Sequence, residues 1–146
     1  MATTLEKPSS LHSFTELLGL TEQNSFELMN RVETGLPFSA FEALQRAIGV
    51  PATQLAAAIV LPPSTLARNK KSGRLGAAPS ERLVRLARLT DAAIALFEGD
   101  EEKARRWMKT SRAVLNGKTP LELAATELGA REVENLIWRL EDGVFS

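Results

Sequence analysis

The chain has 146 residues, no cysteine and a formal net charge of zero, which leaves room for one compact domain or two small ones and excludes a disulfide framework or a thiolate zinc site. Apolar residues make up 44% and charged residues 25%, with no tyrosine; that is the balance of a soluble helical protein, not of a disordered one. MATTLEKPSS at the start lacks the basic flank and apolar centre of a signal peptide, and the longest apolar run, Leu55 to Pro63, is far shorter than a bilayer span, so a cytoplasmic protein with no membrane partner is expected.

After residues 1 to 12, expected to be a flexible N-terminus, start and stop signals for helices follow one another closely and no useful strand alternation appears. Ser13-Phe14-Thr15-Glu16 has the form of a capping box, with Gly19 ending a short helix. Asn24 to Thr34 reads as a second helix closed by Gly35. Ser39-Ala40-Phe41-Glu42 is a further capping box, opening a helix that buries Phe41, Leu44 and Ile48 and stops at Gly49.

Residues 52 to 59 and 63 to 70 read as two short helices separated by Val60-Leu61-Pro62. This is the layout of a helix-turn-helix, sealed by Leu55, Ala58, Ile59 and Leu66, although a turn of this kind usually uses a glycine where Val60 stands. Pro62 is expected to supply by rigidity what that glycine would supply by freedom, and Pro63 suits a first helical position, where an N–H has no partner anyway. Pro79-Ser80 are expected to start a long helix running to about Phe97.

Asp100 to Thr110 reads as a helix with Trp107 on its apolar side, and Asn116-Gly117 breaks the chain. Thr119-Pro120-Leu121-Glu122 combines an N-cap hydroxyl, a proline at the first position and the glutamate of a capping box, with Gly129 expected to end that helix. Ala130 to Asp142 is the last, with Val133, Leu136, Ile137 and Leu140 on one stripe. The fold class is therefore all-α: a helical segment over 13–98 holding the helix-turn-helix (about 52–70) and a long connecting helix, then a C-terminal domain over 99–146.

The zero net charge hides an asymmetry. Residues 1–62 carry three bases and six acids, residues 63–90 seven bases and one acid, and residues 91–146 eight bases and eleven acids. A basic island between acidic flanks is the electrostatic footprint of a surface that meets phosphate, or simply a solvated face. In the second helix of a helix-turn-helix, Ser64, Thr65, Arg68 and Asn69 would face the major groove; Arg68 has the fork that matches guanine and Asn69 the amide that matches adenine. Lys70, Lys71 and Arg74, with the stripe Arg82, Arg85 and Arg88, would hold phosphates, unless the stripe merely solvates its helix with Glu81 and Arg85 as a pair.

At the other end, turning the Val133 stripe inward projects Trp138 to another side of the last helix beside Arg131, Glu134, Asn135 and Asp142, as in a partner surface; the other reading packs Trp138 within its own chain. No catalytic residue, metal site or cofactor is expected. His12 is the sole histidine, and Gly117-Lys118-Thr119 lacks the glycine a phosphate loop needs where Arg112 stands.

The spacing of Trp107, Leu115-Asn116-Gly117-Lys118-Thr119-Pro120-Leu121-Glu122-Leu123, Thr126-Glu127-Leu128-Gly129-Ala130-Arg131-Glu132-Val133-Glu134 and Arg139 to Gly143 resembles the toxin-binding domain of Xre/MbcA/ParS-type antitoxins. Upstream, Val32-Glu33-Thr34-Gly35-Leu36-Pro37 and Thr65-Leu66-Ala67-Arg68 with Gly73-Arg74-Leu75 resemble that family's Xre-like helix-turn-helix. The resemblance implies an antitoxin that neutralises an NAD-degrading RES-domain toxin and represses their shared operon as a homodimer within a larger hetero-oligomer. It implies a toxin surface at Arg131, Glu134, Asn135, Trp138, Arg139 and Asp142, with Val144, Phe145 and Ser146 entering or covering the toxin's cleft. The alternative is a stand-alone transcriptional regulator whose C-terminal domain only oligomerises.

Overall fold

The computed structural model describes residues 11–22 and 24–143. Among them the chain is all-α, as expected, with two isolated backbone bridges, Pro37 to Arg74 and Arg112 to Lys118, and no strand. The helices are α1 (Leu11–Leu17), α2 (Ser25–Thr34), α3 (Phe38–Ile48), α4 (Ala52–Ala58), α5 (Pro63–Ser72), α6 (Ala77–Leu96), α7 (Glu101–Met108), α8 (Pro120–Leu123) and α9 (Glu127–Glu141), with a single 3-10 turn at Ala113–Leu115. None of the described helices is long and apolar enough to cross a membrane.

Among the described residues, four helix N-termini are closed by side chains. Asn24 Oδ1 accepts from Glu27 N at 2.9 Å, Asp100 Oδ1 from Lys103 N at 3.1 Å and Thr126 Oγ1 from Gly129 N at 2.9 Å. Thr119 and Glu122 form the reciprocal box, each backbone N–H donating to the other's side chain at 3.0 Å. Each satisfies donors that the first helical turn leaves without intrahelical partners.

The serines expected at helix starts are used differently. Helix α3 begins at Phe38 behind Pro37, placing Ser39 inside its first turn, so Ser39 is not the cap expected of it; Ser13 falls within the span of α1, and its side chain lies outside the described residues. Helices α3, α4 and α5 each open after a proline with no side-chain cap: there the extended backbone of Pro37, Pro51 and Pro62 starts the helix, not a hydroxyl. Helix α6 begins at Ala77, earlier than expected, and Ser80 is fully buried within it, its Oγ accepting Leu36 N at 2.8 Å. A serine that resembles a helix start is instead a tie between α6 and the loop after α2.

Helix α6 is the spine, packed against α1, α2, α3, α7 and α9. One core runs through the molecule, from Phe14, Leu18, Phe41, Leu44 and Ile48 through Leu55, Ile59, Leu83 and Leu86 to Met108, Leu121, Val133 and Ile137. Each fully buried leucine or isoleucine of that list contributes roughly 1.5–3 kcal/mol by leaving water. Loops also lock together: Leu75 N donates to Leu36 O and Phe38 N to Gly73 O, both at 2.9 Å, pinning the exit of α5 to the entry of α3. Gly35 sits at φ +99 where an added Cβ would strike the Leu75 carbonyl oxygen, so this closure requires a glycine.

Cations from each half cap helices of the other. Arg105 of α7 and Lys109 just beyond its end donate to the Ala47 and Gly49 carbonyls at the end of α3, at 3.5 and 3.1 Å. In return Arg85 of α6 donates to the Ala124 and Ala125 carbonyls at the end of α8, at 3.2 and 3.5 Å. The last carbonyls of a helix lack intrahelical partners and carry the negative end of its dipole, which is why guanidinium and ammonium groups settle there.

Candidate DNA-binding and partner-binding surfaces

Helices α4 and α5 form the helix-turn-helix. Leu55, Ala58 and Ile59 are buried and Leu66 half-buried against them, as the pattern requires. The turn between them corrects one expectation: Val60 itself takes the left-handed conformation at φ +56, so proline rigidity does not replace the missing glycine. A β-branched residue is strained there. The turn is held by Leu61 N donating to Ala56 O at 2.8 Å, and by Arg82 Nη1 donating to Ile59 O at 3.5 Å.

On α5 and just beyond it, Ser64, Arg68, Lys70, Lys71 and Arg74 are exposed and Thr65 is half-buried. Arg68 Nη2 donates to Thr65 Oγ1 at 3.4 Å, and Arg74 Nη1 to the Thr34 carbonyl at 3.3 Å. Among the described residues no carboxylate pairs with Arg68, Lys70, Lys71 or Arg74, so one edge of the molecule carries four uncompensated positive charges. Asn69 is placed differently from its neighbours: half-buried, with Oδ1 enclosed and without a hydrogen-bond partner.

The arginine stripe of α6 does not act as one clamp. Arg82 serves the turn, Arg85 turns to the C-terminal half and pairs with Glu127 instead of Glu81, and Arg88 lies over the Phe14 ring with its Cζ 5.9 Å from the centroid. Three-residue spacing places side chains along one side of a helix, but each then follows the nearest acceptor or ring.

The C-terminal half is built on α7, α8 and α9. Arg112 stacks over Trp107, 4.9 Å from Cζ to the ring centroid, and donates to the Trp107 carbonyl at 3.2 Å; burial lowers its pKa from the ordinary value. Gly129 does not end α8, as its position had suggested. It lies in the first turn of α9, fitted so closely to the Leu123 carbonyl that a Cβ would collide with it. Glu102 is held below the usual carboxylate range, first by its hydrogen bond from Arg105 at 2.8 Å and then by that arginine's charge.

On α9, Val133, Leu136 and Ile137 are buried and Leu140 is half-buried, as the stripe predicts. Trp138 is 71% exposed, so it does not pack within its own chain. Arg131, Glu134, Asn135, Arg139 and Asp142 are exposed with it, and Arg131 Nη2 reaches Glu127 Oε2 at 3.3 Å. Leu128, 77% exposed, stands on the same side and escaped sequence reasoning. The available signal was its place ten residues before Trp138, close to three turns of helix. Val144, Phe145 and Ser146 lie outside the described residues.

Two surfaces on one helical body, a helix-turn-helix with unpaired cations and a C-terminal helix with an open aromatic face, define a DNA-binding protein with a second binding domain. Residues 27–88 match the model of the antitoxin Xre-like helix-turn-helix domain, and residues 92–143 match that of the antitoxin Xre/MbcA/ParS C-terminal toxin-binding domain. The chain is 35% identical over 130 residues to Antitoxin Xre of Yersinia enterocolitica, covering 88% of each chain. It is 43% identical over 74 residues to Antitoxin Xre of Photorhabdus laumondii, covering 51% of this chain and 50% of that one. To Antitoxin Xre of Pseudomonas putida it is 32% identical over 85 residues, covering 58% and 53%. The chain belongs to the Xre antitoxin family.

Proposed function

We propose that this antitoxin neutralises a RES-type toxin that degrades NAD, by occluding the toxin's active site, and that it represses its own operon from the helix-turn-helix. It acts by binding and not by catalysis, in the cytoplasm, as a homodimer within a larger complex with the toxin. The observation that carries this reading is the match of residues 92–143 to a toxin-binding domain whose last helix leaves Trp138 open. Arg131, Glu134, Asn135, Arg139 and Asp142 surround that anchor, and Val144, Phe145 and Ser146 reach the toxin's cleft. Aromatic anchors ringed by polar groups carry most of the energy of such interfaces.

Coexpression with the adjacent gene is the test. Growth and cellular NAD are restored by the full chain, and mass measurement of the copurified complex gives its stoichiometry. Removing residues 143–146 abolishes rescue while the truncated chain keeps its fold and its DNA binding. Unchanged rescue by the truncated chain refutes the role of the tail.

On DNA, Lys70, Lys71 and Arg74 hold phosphates while Ser64, Thr65 and Arg68 meet base edges. Asn69 joins them if its amide rotates outward on binding. Operator affinity then falls steeply with salt, log K declining by about 0.9 per phosphate contacted for each unit of log salt. Arg68→Ala weakens the operator complex and leaves binding to random DNA unchanged; equal loss on both reassigns Arg68 to a phosphate.

A further inference from the structure

Within the stretch that matches the toxin-binding domain, three large apolar side chains among the described residues are open to solvent: Val114, Leu128 and Trp138. Single exposed apolar residues are ordinary on any surface. Leu128 and Trp138 are not independent, however, because both stand on α9 at a helical register. Leu128, Arg131, Asn135 and Trp138 follow one another at i, i+3, i+7 and i+10, which keeps them within one face. That face lies opposite the buried stripe of Val133, Leu136, Ile137 and Leu140, so it makes no contribution to the chain's own core.

The two residues between the anchors differ in what they leave unsatisfied. Arg131 already meets Glu127 at 3.3 Å. Asn135 is exposed, and its side-chain amide has no partner among the described residues. A carboxamide offers both donor and acceptor, the complement of a backbone N–H and C=O.

We infer that α9 docks lengthwise into the toxin through two apolar anchors, Leu128 and Trp138, with the Asn135 amide between them set against exposed toxin backbone. The toxin surface that fits has two apolar sockets about 15 Å apart along the helix axis, separated by a polar strip. This is the helix-in-groove mode of recognition. It rests on the toxin reading above and deepens it: affinity comes from the whole length of α9, whereas the proposed blocking of the cleft comes from the tail. The occupant is the toxin and not a second copy of the chain, because the face is continuous with the domain whose family role is toxin binding.

The test uses the full chain coexpressed with the product of the adjacent gene. A photo-crosslinking amino acid is placed at position 128, 135 or 138, with exposed position 103 of α7 as the control. The expected result is a crosslink to the toxin from the three α9 positions and none from the control. Leu128→Ala weakens the complex about tenfold and Trp138→Ala about thirtyfold, while Leu128→Met keeps it and all three variants keep the helical circular dichroism of the parent.

A toxin that copurifies undiminished with the Leu128→Ala, Trp138→Ala double variant overturns the inference and leaves the antitoxin reading standing. Crosslinks from α9 to a second copy of the chain, with none to the toxin, overturn it as well. Failure of the unaltered chain to copurify with any neighbouring product removes both.

Discussion

Arg85 of α6 reaches Glu127 in the first turn of α9 at 3.7 Å, while its other terminal nitrogen donates to the Ala124 carbonyl at 3.2 Å. The ion pair and the cap are unequal. Glu127 is largely exposed, which leaves its share screened and small, whereas the carbonyls ending α8 have few other donors.

Arg85→Ala is therefore expected to lower stability by about 1.5–3 kcal/mol, the range for hydrogen bonds that involve a charged group. Glu127→Gln should change it by less than about 0.5 kcal/mol. Urea unfolding of both variants checks the ranking; a larger loss from Glu127→Gln would show that the ion pair dominates.

Val60 gives a gain. Left-handed backbone costs a β-branched residue about 1–2 kcal/mol, and glycine gives back about 0.5–1 kcal/mol of that through the freedom of its unfolded chain. Val60→Gly should stabilise the protein by about 0.5–1 kcal/mol, seen as a raised unfolding midpoint with an unchanged denaturant slope. A lowered midpoint would mean that contacts of this half-exposed side chain outweigh its strain.

Gly129→Ala tests the opposite case. Alanine is the better helix former by about 1 kcal/mol, yet its Cβ would meet the Leu123 carbonyl, and that atom belongs to backbone with no freedom to move aside. A net loss of at least about 2 kcal/mol is expected, with weakened toxin binding because α8 and α9 must separate. A neutral outcome in thermal unfolding would contradict the close fit.

Asp91 is buried in α6 with Oδ2 lacking a hydrogen-bond partner, and burial, then the charge of Glu16, pushes its carboxyl up to about 6. The native state thus holds this proton more tightly than the unfolded chain, where the value is near 4. Its effect on stability is most favourable below about pH 4 and is lost as pH rises through about 6. Asp91→Asn should remove that dependence and stabilise the protein at neutral pH by roughly 2–3 kcal/mol. Parallel stability–pH curves for the two proteins would disprove the assignment.

Helix number, order and inward faces were legible because periodicity and glycine stops are local signals: the Phe41, Leu44, Ile48 stripe and the Thr119 box appear where the pattern places them. What misled were residues with two uses. Ser39 and Ser80 have the chemistry of caps, but a preceding proline or glycine starts those helices, and the hydroxyl of Ser80 serves a loop from 44 positions earlier. Gly129 resembles a stop because the close approach of Leu123 is set by tertiary packing. The cations of α5 were legible as an exposed group, while the destinations of Arg82, Arg85 and Arg88 depend on carbonyls and rings that no spacing encodes.

The exchange of helix caps between the halves limits how such proteins can be recombined. A graft that joins this DNA-binding half to a foreign C-terminal half must bring cations that reach Ala47 and Gly49, and helix-end carbonyls within reach of Arg85. A chimera that respects only the sequence boundary leaves two helix ends bare. With α9 as the toxin-binding face proposed above, changing the toxin recognised without changing the operator is therefore expected to be easier by replacing exposed residues along α9 than by exchanging the domain.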